Sequence, residues 1–240
     1  MVEKPKFSNK HIDEINVDKS QNFFSSVWDD IKTKNITITN LLDVGCGNGL
    51  FTIYAKEIFS CSVTGVDGNT YALEQAKNNG FDEIHYIHDF DHDTFNLPNN
   101  HFDFVLCKDL MEHLISPEVV LGEIYRVTKP NGYVLLHVPN HFPIAGRLKF
   151  LLHNDIDTFN YFPDSKRWNF PHIRFFTYES LLEMSRLYGF ELDTNLSYHF
   201  PLVPCGKIIP FKKKLASINP TNFAEGLTVL LKKQSIKEKE

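Results

Sequence analysis

The segment Leu41-Leu42-Asp43-Val44-Gly45-Cys46-Gly47-Asn48-Gly49 constrains this chain more than any other. Its first four residues read as a buried strand. Three alternate glycines follow, and Leu50 to Phe59 then shows helical spacing. Glycine takes positive φ freely and puts no Cβ in the way of a ligand. A second short strand, Val63 to Asp67, ends in an acid 24 residues after Asp43. In open α/β sheets ligands bind at the carboxyl ends of the strands, and an acid there can accept both ribose hydroxyls of a nucleoside. The glycine triplet alone is a weak signal, because many tight turns share it. Strand, acid, glycines, helix and a second acid-tipped strand together are specific. A nicotinamide dinucleotide is the rival ligand. Its G-x-G-x-x-G fingerprint sets a pyrophosphate on the helix N-terminus. Here the third glycine comes one residue early and Asp43 precedes the first. A carboxylate there suits a cofactor carrying an ammonium better than one carrying a pyrophosphate.

The patterning around this turn alternates between strand and helix. Gln21 to Lys34 predicts an amphipathic helix with Phe24, Val27, Trp28 and Ile31 on one face. Ile36 to Val44 predicts the first strand. Thr70 to Asn79 predicts a helix stopped by Gly80, and Ile84 to Ile87 a third strand. Phe102 to Cys107 predicts a fourth. Ser116 and Pro117 then cap a helix to Val127, Lys129 to Gly132 turn, and Tyr133 to Val138 predicts a fifth strand. Tyr178 to Tyr188 predicts a helix halted at Gly189, before two final strands at Phe190 to Tyr198 and Ala224 to Leu231. This order predicts a Rossmann-like, doubly wound α/β fold. Its seven-stranded sheet is mostly parallel, with an antiparallel last strand and an irregular insertion after strand five. Residues 1–20 read as a flexible lead-in and 21–240 as one domain. Residues 139–177 form the acceptor-site insertion or lid, because long irregular stretches in compact domains are usually functional.

Composition narrows the function. The 240 residues are 42% hydrophobic and 23% charged, enough for a sizeable core. A net charge of -5 argues against nucleic acid as the main partner. Cys46, Cys61, Cys107 and Cys205 show no metal-like or disulfide spacing. Asp89-Phe90-Asp91-His92-Asp93 lacks the glycine and distal glutamate of a calcium loop. His137 and His141 straddle a strand end and Pro139, which is poor geometry for a zinc pair. No metal site is expected from these spacings. The start of the chain lacks an apolar signal core, and no run is long enough to span a bilayer, so a cytoplasmic location is expected. The oligomeric state is not legible.

Five ordered motifs resemble the class I S-adenosylmethionine-dependent methyltransferases. They are Leu41 to Gly49, Asp67, His88-Asp89-Phe90, Phe104 to Leu114 with Glu112-His113, and Tyr125 to Val138 through Lys129-Pro130-Asn131-Gly132. The resemblance implies S-adenosylmethionine as cofactor. Gly45, Cys46, Gly47, Asn48 and Gly49 would form the loop under its methionine part, with Asp43 helping to hold the ammonium. Asp67 would bind the ribose hydroxyls, Asp89 the adenine amino group, and Phe90 would lie beside the ring. Cys107 and Lys108 would line the methionine end. Gly68 departs from the bulky apolar residue that many members stack on adenine, so stacking must come from elsewhere.

Val138-Pro139-Asn140, His172 to Thr177 and Tyr188-Gly189-Phe190 resemble a narrower group that acts in small-molecule, quinone or surface-saccharide biosynthesis. The implied partner is a small-molecule acceptor. An acceptor hydroxyl must lose its proton, and histidine is the natural base near neutral pH. His113, His141 and His172 are the candidates. A structural role for His113 stands beside the catalytic one, and His137 reads as a satisfied core histidine. Arg174 would clamp an acidic acceptor or anchor the lid. Phe159, Tyr161, Phe162, Trp168, Phe170, Phe175 and Phe176 would line an acceptor pocket or fill a small core. The fourth strand exits into Lys108-Asp109 rather than the Asn-Pro-Pro-aromatic motif of many amino-group methylators of bases. This favours oxygen as the nucleophile. A nicotinamide-dependent oxidoreductase and a non-catalytic S-adenosylmethionine-binding module are the alternatives.

Overall fold

In the computed structural model, residues 17–153, 172–201 and 210–234 are described. The elements in chain order are α1 (Val17–Thr33), β1 (Asn40–Val44), α2 (Leu50–Phe59), β2 (Ser62–Asp67), α3 (Thr70–Asn78) and β3 (Glu83–Tyr86). Then come β4 (Phe102–Lys108), α4 (Pro117–Val127), β5 (Thr128–Pro139), α5 (Ile144–His153), α6 (Tyr178–Leu187), β6 (Phe190–Asn195), α7 (Pro210–Ile218), α8 (Pro220–Phe223) and β7 (Gly226–Lys233). The seven strands form one sheet in the order β3-β2-β1-β4-β5-β7-β6. Pairs among β1 to β5 are parallel, and β7 runs antiparallel to both β5 and β6. This is the expected Rossmann-like sheet with its antiparallel last strand.

Strand alternation sorts the core into two layers. Leu42, Val44, Val105 and Cys107 belong to one buried cluster, with Leu121 and Ile124 of α4. Leu41, Phe104 and Leu106 belong to the other, with Trp28 and Ile31 of α1. The Trp28 ring lies 5.4 Å from that of Phe104, so α1 is anchored over the centre of the sheet.

Several boundaries differ from expectation for local reasons. β1 starts at Asn40 rather than Ile36, because the Thr39 and Asn40 N–H groups donate to the Asp103 carboxylate. The expected turn Lys129–Gly132 lies inside β5, where a register shift and Asn131 at φ 63° take up the extra residues. Ser116 does not cap α4 through its side chain; its N–H donates instead to Asp91 Oδ1 at 2.8 Å. β6 ends at Asn195, whose Oδ1 accepts the Ser197 N–H and starts a 3-10 turn. The expected insertion contains α5, and α7 and α8 were not anticipated. α1 starts within the expected lead-in. Phe159, Tyr161, Phe162, Trp168, Phe170 and Cys205 lie outside the described residues. No helix among the described residues is long and apolar enough to cross a membrane.

Candidate active site

The glycine-rich turn joins β1 to α2 at the carboxyl ends of the strands. Gly45, Gly47 and Gly49 all have positive φ, at 73°, 54° and 78°. Two of them differ sharply in what surrounds them. A Cβ on Gly49 would stand 2.3 Å from the Phe81 ring, so packing forbids a side chain. A Cβ on Gly47 would meet nothing within 4 Å, so the space above it is open. The Gly47 N–H donates to Asp67 Oδ2 at 2.8 Å, and the Asn69 N–H donates to Asp67 Oδ1 at the same distance. These bonds fix the carboxylate at the tip of β2 beside the open face of the turn. Burial raises the Asp67 pKa, against the opposing pull of the backbone N–H groups of Gly47, Asn69 and Gly68.

Asp43 sits deeper. Its carboxylate accepts a 2.5 Å bond from Thr52 Oγ1 of α2, and burial raises its pKa to about 7. Its direct contact is therefore with the helix, and any hold on a cofactor ammonium acts through the loop. The Cys46 thiol is buried in the α1-side cluster, near Phe81 and Gly65, so only its backbone belongs to the turn. Asn48 is buried, and its carbonyl accepts the Asn79 side-chain amide at 2.9 Å. The Cys107 thiol is 1% exposed in the core. The ammonium of Lys108, the other residue expected to line the methionine end, pairs with Asp109 and lies 4.1 Å from the Phe51 ring centroid.

The turn after β3 folds on Asp89. Its Oδ1 accepts the Asp91 N–H at 3.0 Å, and its Oδ2 lies 3.1 Å from His92 Nδ1. Phe90 packs edge-on against Phe95, and one edge lies 3.9 Å from where a Gly68 Cβ would stand. Phe90, expected beside the adenine ring, thus stands at the position that the absent Gly68 side chain faces.

Across the crevice, β4 exits through Lys108 and Asp109 into a 3-10 turn, Met111–His113. The Ile173 and Arg174 N–H groups donate to the Glu112 carbonyl, at 2.8 and 3.0 Å. Those two bonds bring the distant His172 beside His113, their ring centroids 4.9 Å apart. His172 Nδ1 is in turn 2.9 Å from His141 Nε2. All three expected histidines thus meet in one cluster. The Phe176 N–H donates to His141 Nδ1, so His141 presents its Nε2–H to His172. Burial first, then the neighbouring His172 and His113, lowers the His141 pKa to about 4. His141 is therefore neutral near pH 7, with its Nε2 against His172. Arg174 donates to the Ile115 carbonyl, the anchoring role. Phe176 is buried and Phe175 is 41% exposed. His137 is a satisfied core histidine, with Nδ1 2.7 Å from Thr228 Oγ1 and Nε2 3.4 Å from Asp109.

With this geometry in place, comparison with known proteins gives a consistent result. Residues 42–136 match the family described as "Methyltransferase domain". That match covers the stretch from β1 through most of β5, where the glycine-rich turn and the acid-tipped β2 lie. Over 129 residues it is 28% identical to a ubiquinone biosynthesis O-methyltransferase of Vibrio atlanticus, covering 50% of this chain and 54% of that one. Over 100 residues it is 33% identical to a sterol 24-C-methyltransferase of Schizosaccharomyces pombe, covering 39% of this chain and 26% of that one. The chain spans about half or less of the curated relatives it matches. A solved S-adenosylmethionine-dependent methyltransferase from Aquifex aeolicus shares the fold with a TM-score of 0.58, at 16% identity over 94% of this chain and 99% of that one.

The site also contains a group that the sequence showed only as part of a motif, without a role of its own. Glu112 is 0% exposed, and neither of its carboxylate oxygens has a hydrogen-bond partner among the described residues. Burial, then the charge of Asp109, raises its pKa. Its position beside a candidate histidine was visible, but nothing in the spacing showed that it is buried. A separate cavity of about 290 Å³ opens at the amino-terminal ends of the strands, away from this site. Its acid, Asp103, is already engaged by Thr39, Asn40 and Lys129.

Proposed function

We propose that this chain is an S-adenosylmethionine-dependent methyltransferase acting on a small-molecule acceptor through an oxygen nucleophile. The observation that carries the cofactor reading is Asp67, fixed by two backbone N–H groups beside the open face of Gly47. When bound, the cofactor supplies a methyl group already activated on a sulfonium. Asp67 would accept the ribose hydroxyls. Asp89 would receive the adenine amino group, with Phe90 against the ring. Lys108, paired with Asp109, would hold charge near the methionine end.

The oxygen assignment rests on three supports. The histidine cluster at the exit of β4 provides a base where an acceptor hydroxyl must lose its proton. His141 Nε2 lies 2.9 Å from His172 Nδ1 and orients that ring within the cluster. Several relatives are named as O-methyltransferases, although one is a C-methyltransferase. The test is methyl transfer from radiolabelled cofactor to a panel of phenols, catechols, amines and activated carbon acids. Labelled ethers from the hydroxylated compounds support the reading. Labelled amines or carbon products alone would overturn the oxygen assignment and leave the cofactor assignment standing.

A further inference from the structure

We propose that Glu112, His113 and His172 form a binding site for one divalent first-row transition cation. One ligand atom from each of these side chains lies within 4.8 Å of the other two, and Glu112 Oε1 stands 3.8 Å from His113 Nε2. Metal bonds of about 2.0–2.2 Å set ligand atoms roughly 3.0–3.6 Å apart. Side-chain rotations of about 1 Å therefore close the site, with no change in the backbone.

Two further observations point to a cation. The first is the Glu112 carboxylate itself, fully buried with neither oxygen hydrogen-bonded among the described residues. A buried carboxyl left unsatisfied is destabilising, and groups in that position usually have a partner. A cation would satisfy both oxygens at once. The second is the support behind the ligands. His172 Nδ1 is engaged by His141 at 2.9 Å, so the ligand atom His172 would offer is Nε2. A hydrogen bond to the far nitrogen is the usual way a metal-binding imidazole is oriented. Ligation through Nε2 requires His172 to donate from Nδ1 to His141. That tautomer moves the His141 proton to Nδ1, so the Phe176 N–H, 3.4 Å away, must turn from it as the metal binds.

The donor set decides the class of ion. Two imidazoles with one carboxylate suit zinc, cobalt, nickel, iron or manganese better than magnesium or calcium, which prefer oxygen. Three protein ligands also leave coordination positions open. The local backbone explains why distant residues converge, since the Glu112 carbonyl binds the Ile173 and Arg174 N–H groups.

The metal-stripped full chain is titrated with Zn²⁺ by calorimetry and with Co²⁺ by absorption, whose ligand-field bands report imidazole coordination. One equivalent per chain is expected. Glu112→Gln and His172→Gln should each weaken it at least hundred-fold while circular dichroism shows a folded chain. His92→Gln, on the exposed turn at Asp89, should bind as the unaltered chain does. No saturable equivalent in the unaltered chain, or a site that survives both substitutions, would overturn the proposal. If Glu112→Gln fails to fold, His113→Gln and His172→Gln decide the question, because neither residue is fully buried. No adenosyl compound enters the assay, so its outcome is separate from that of the cofactor reading.

Discussion

The two sides of the crevice are built in opposite ways. On the glycine-rich side, residues from Asp43 to Asn69 make nearly the whole surface, and backbone N–H groups do most of the holding. On the histidine side, Glu112, His141 and His172 come from three separated segments, joined by the Glu112 carbonyl and the His141–His172 bond. A surface made by one turn can be fixed by φ angles and glycine placement. A surface assembled from three segments depends on side chains that the rest of the fold must bring together.

That contrast predicts where substitutions bite. The largest effect is expected for Asp67→Ala. Hydrogen bonds to a charged group contribute about 1.5–3 kcal/mol each, so losing two should weaken S-adenosylhomocysteine binding about hundred-fold or more in calorimetry. His172→Gln should leave that affinity within about two-fold. Equal losses in both variants would erase the distinction between the two sides.

The glycines sharpen the first side. Gly49→Ala meets both positive φ and the Phe81 ring, and should destabilise by about 3 kcal/mol in urea unfolding. Gly47→Ala meets only positive φ, and should lose about 1 kcal/mol. Equal destabilisation would mean that the ring contact at Gly49 is not as described.

The sides should also respond oppositely to pH. Asp43 is held at about 7, above its ordinary 3.8, so its contribution is full below that ordinary value and is lost as pH rises towards 7. His137 is lowered to about 4 from 6.5, mainly by burial, so its contribution is full above 6.5 and is lost as pH falls towards 4. At most the effects amount to about 4 kcal/mol for Asp43 and about 3 kcal/mol for His137. Unfolding free energies of Asp43→Asn and His137→Gln, measured from pH 4.5 to 7.5, should remove slopes of opposite sign. Slopes of the same sign would contradict the assignments. The smallest effect is expected for Thr52→Val, about 1 kcal/mol through the lost bond to Asp43.

The same contrast explains what the sequence could show. The end of β1, the glycine turn, α2 and β2 were legible almost to the residue, because turn chemistry and apolar period act over short range. α4 was legible from Ser116-Pro117, although the capping contact goes through the Ser116 backbone to Asp91. The histidines were legible as candidates but not as a cluster, since their meeting depends on two backbone bonds to the Glu112 carbonyl. Glu112 was legible only as a motif residue, because burial of a carboxylate leaves no trace in residue spacing. The burial of Cys46 was hidden in the same way. Strand period shows that neighbours face opposite layers, not which layer is open. The helices α7 and α8 were not anticipated, although Pro220 stands at a helix start behind an Asn219 cap.

The most direct test of the account is a thermal-shift titration with S-adenosylmethionine, S-adenosylhomocysteine and NAD side by side. A ligand at 100 times its dissociation constant stabilises by about 2.7 kcal/mol, a rise of roughly 5–11 °C for a chain of this size. The account predicts that rise with both adenosyl compounds, none with NAD, and its loss in Asp67→Ala. A rise with NAD alone, or one that survives Asp67→Ala unchanged, would contradict it.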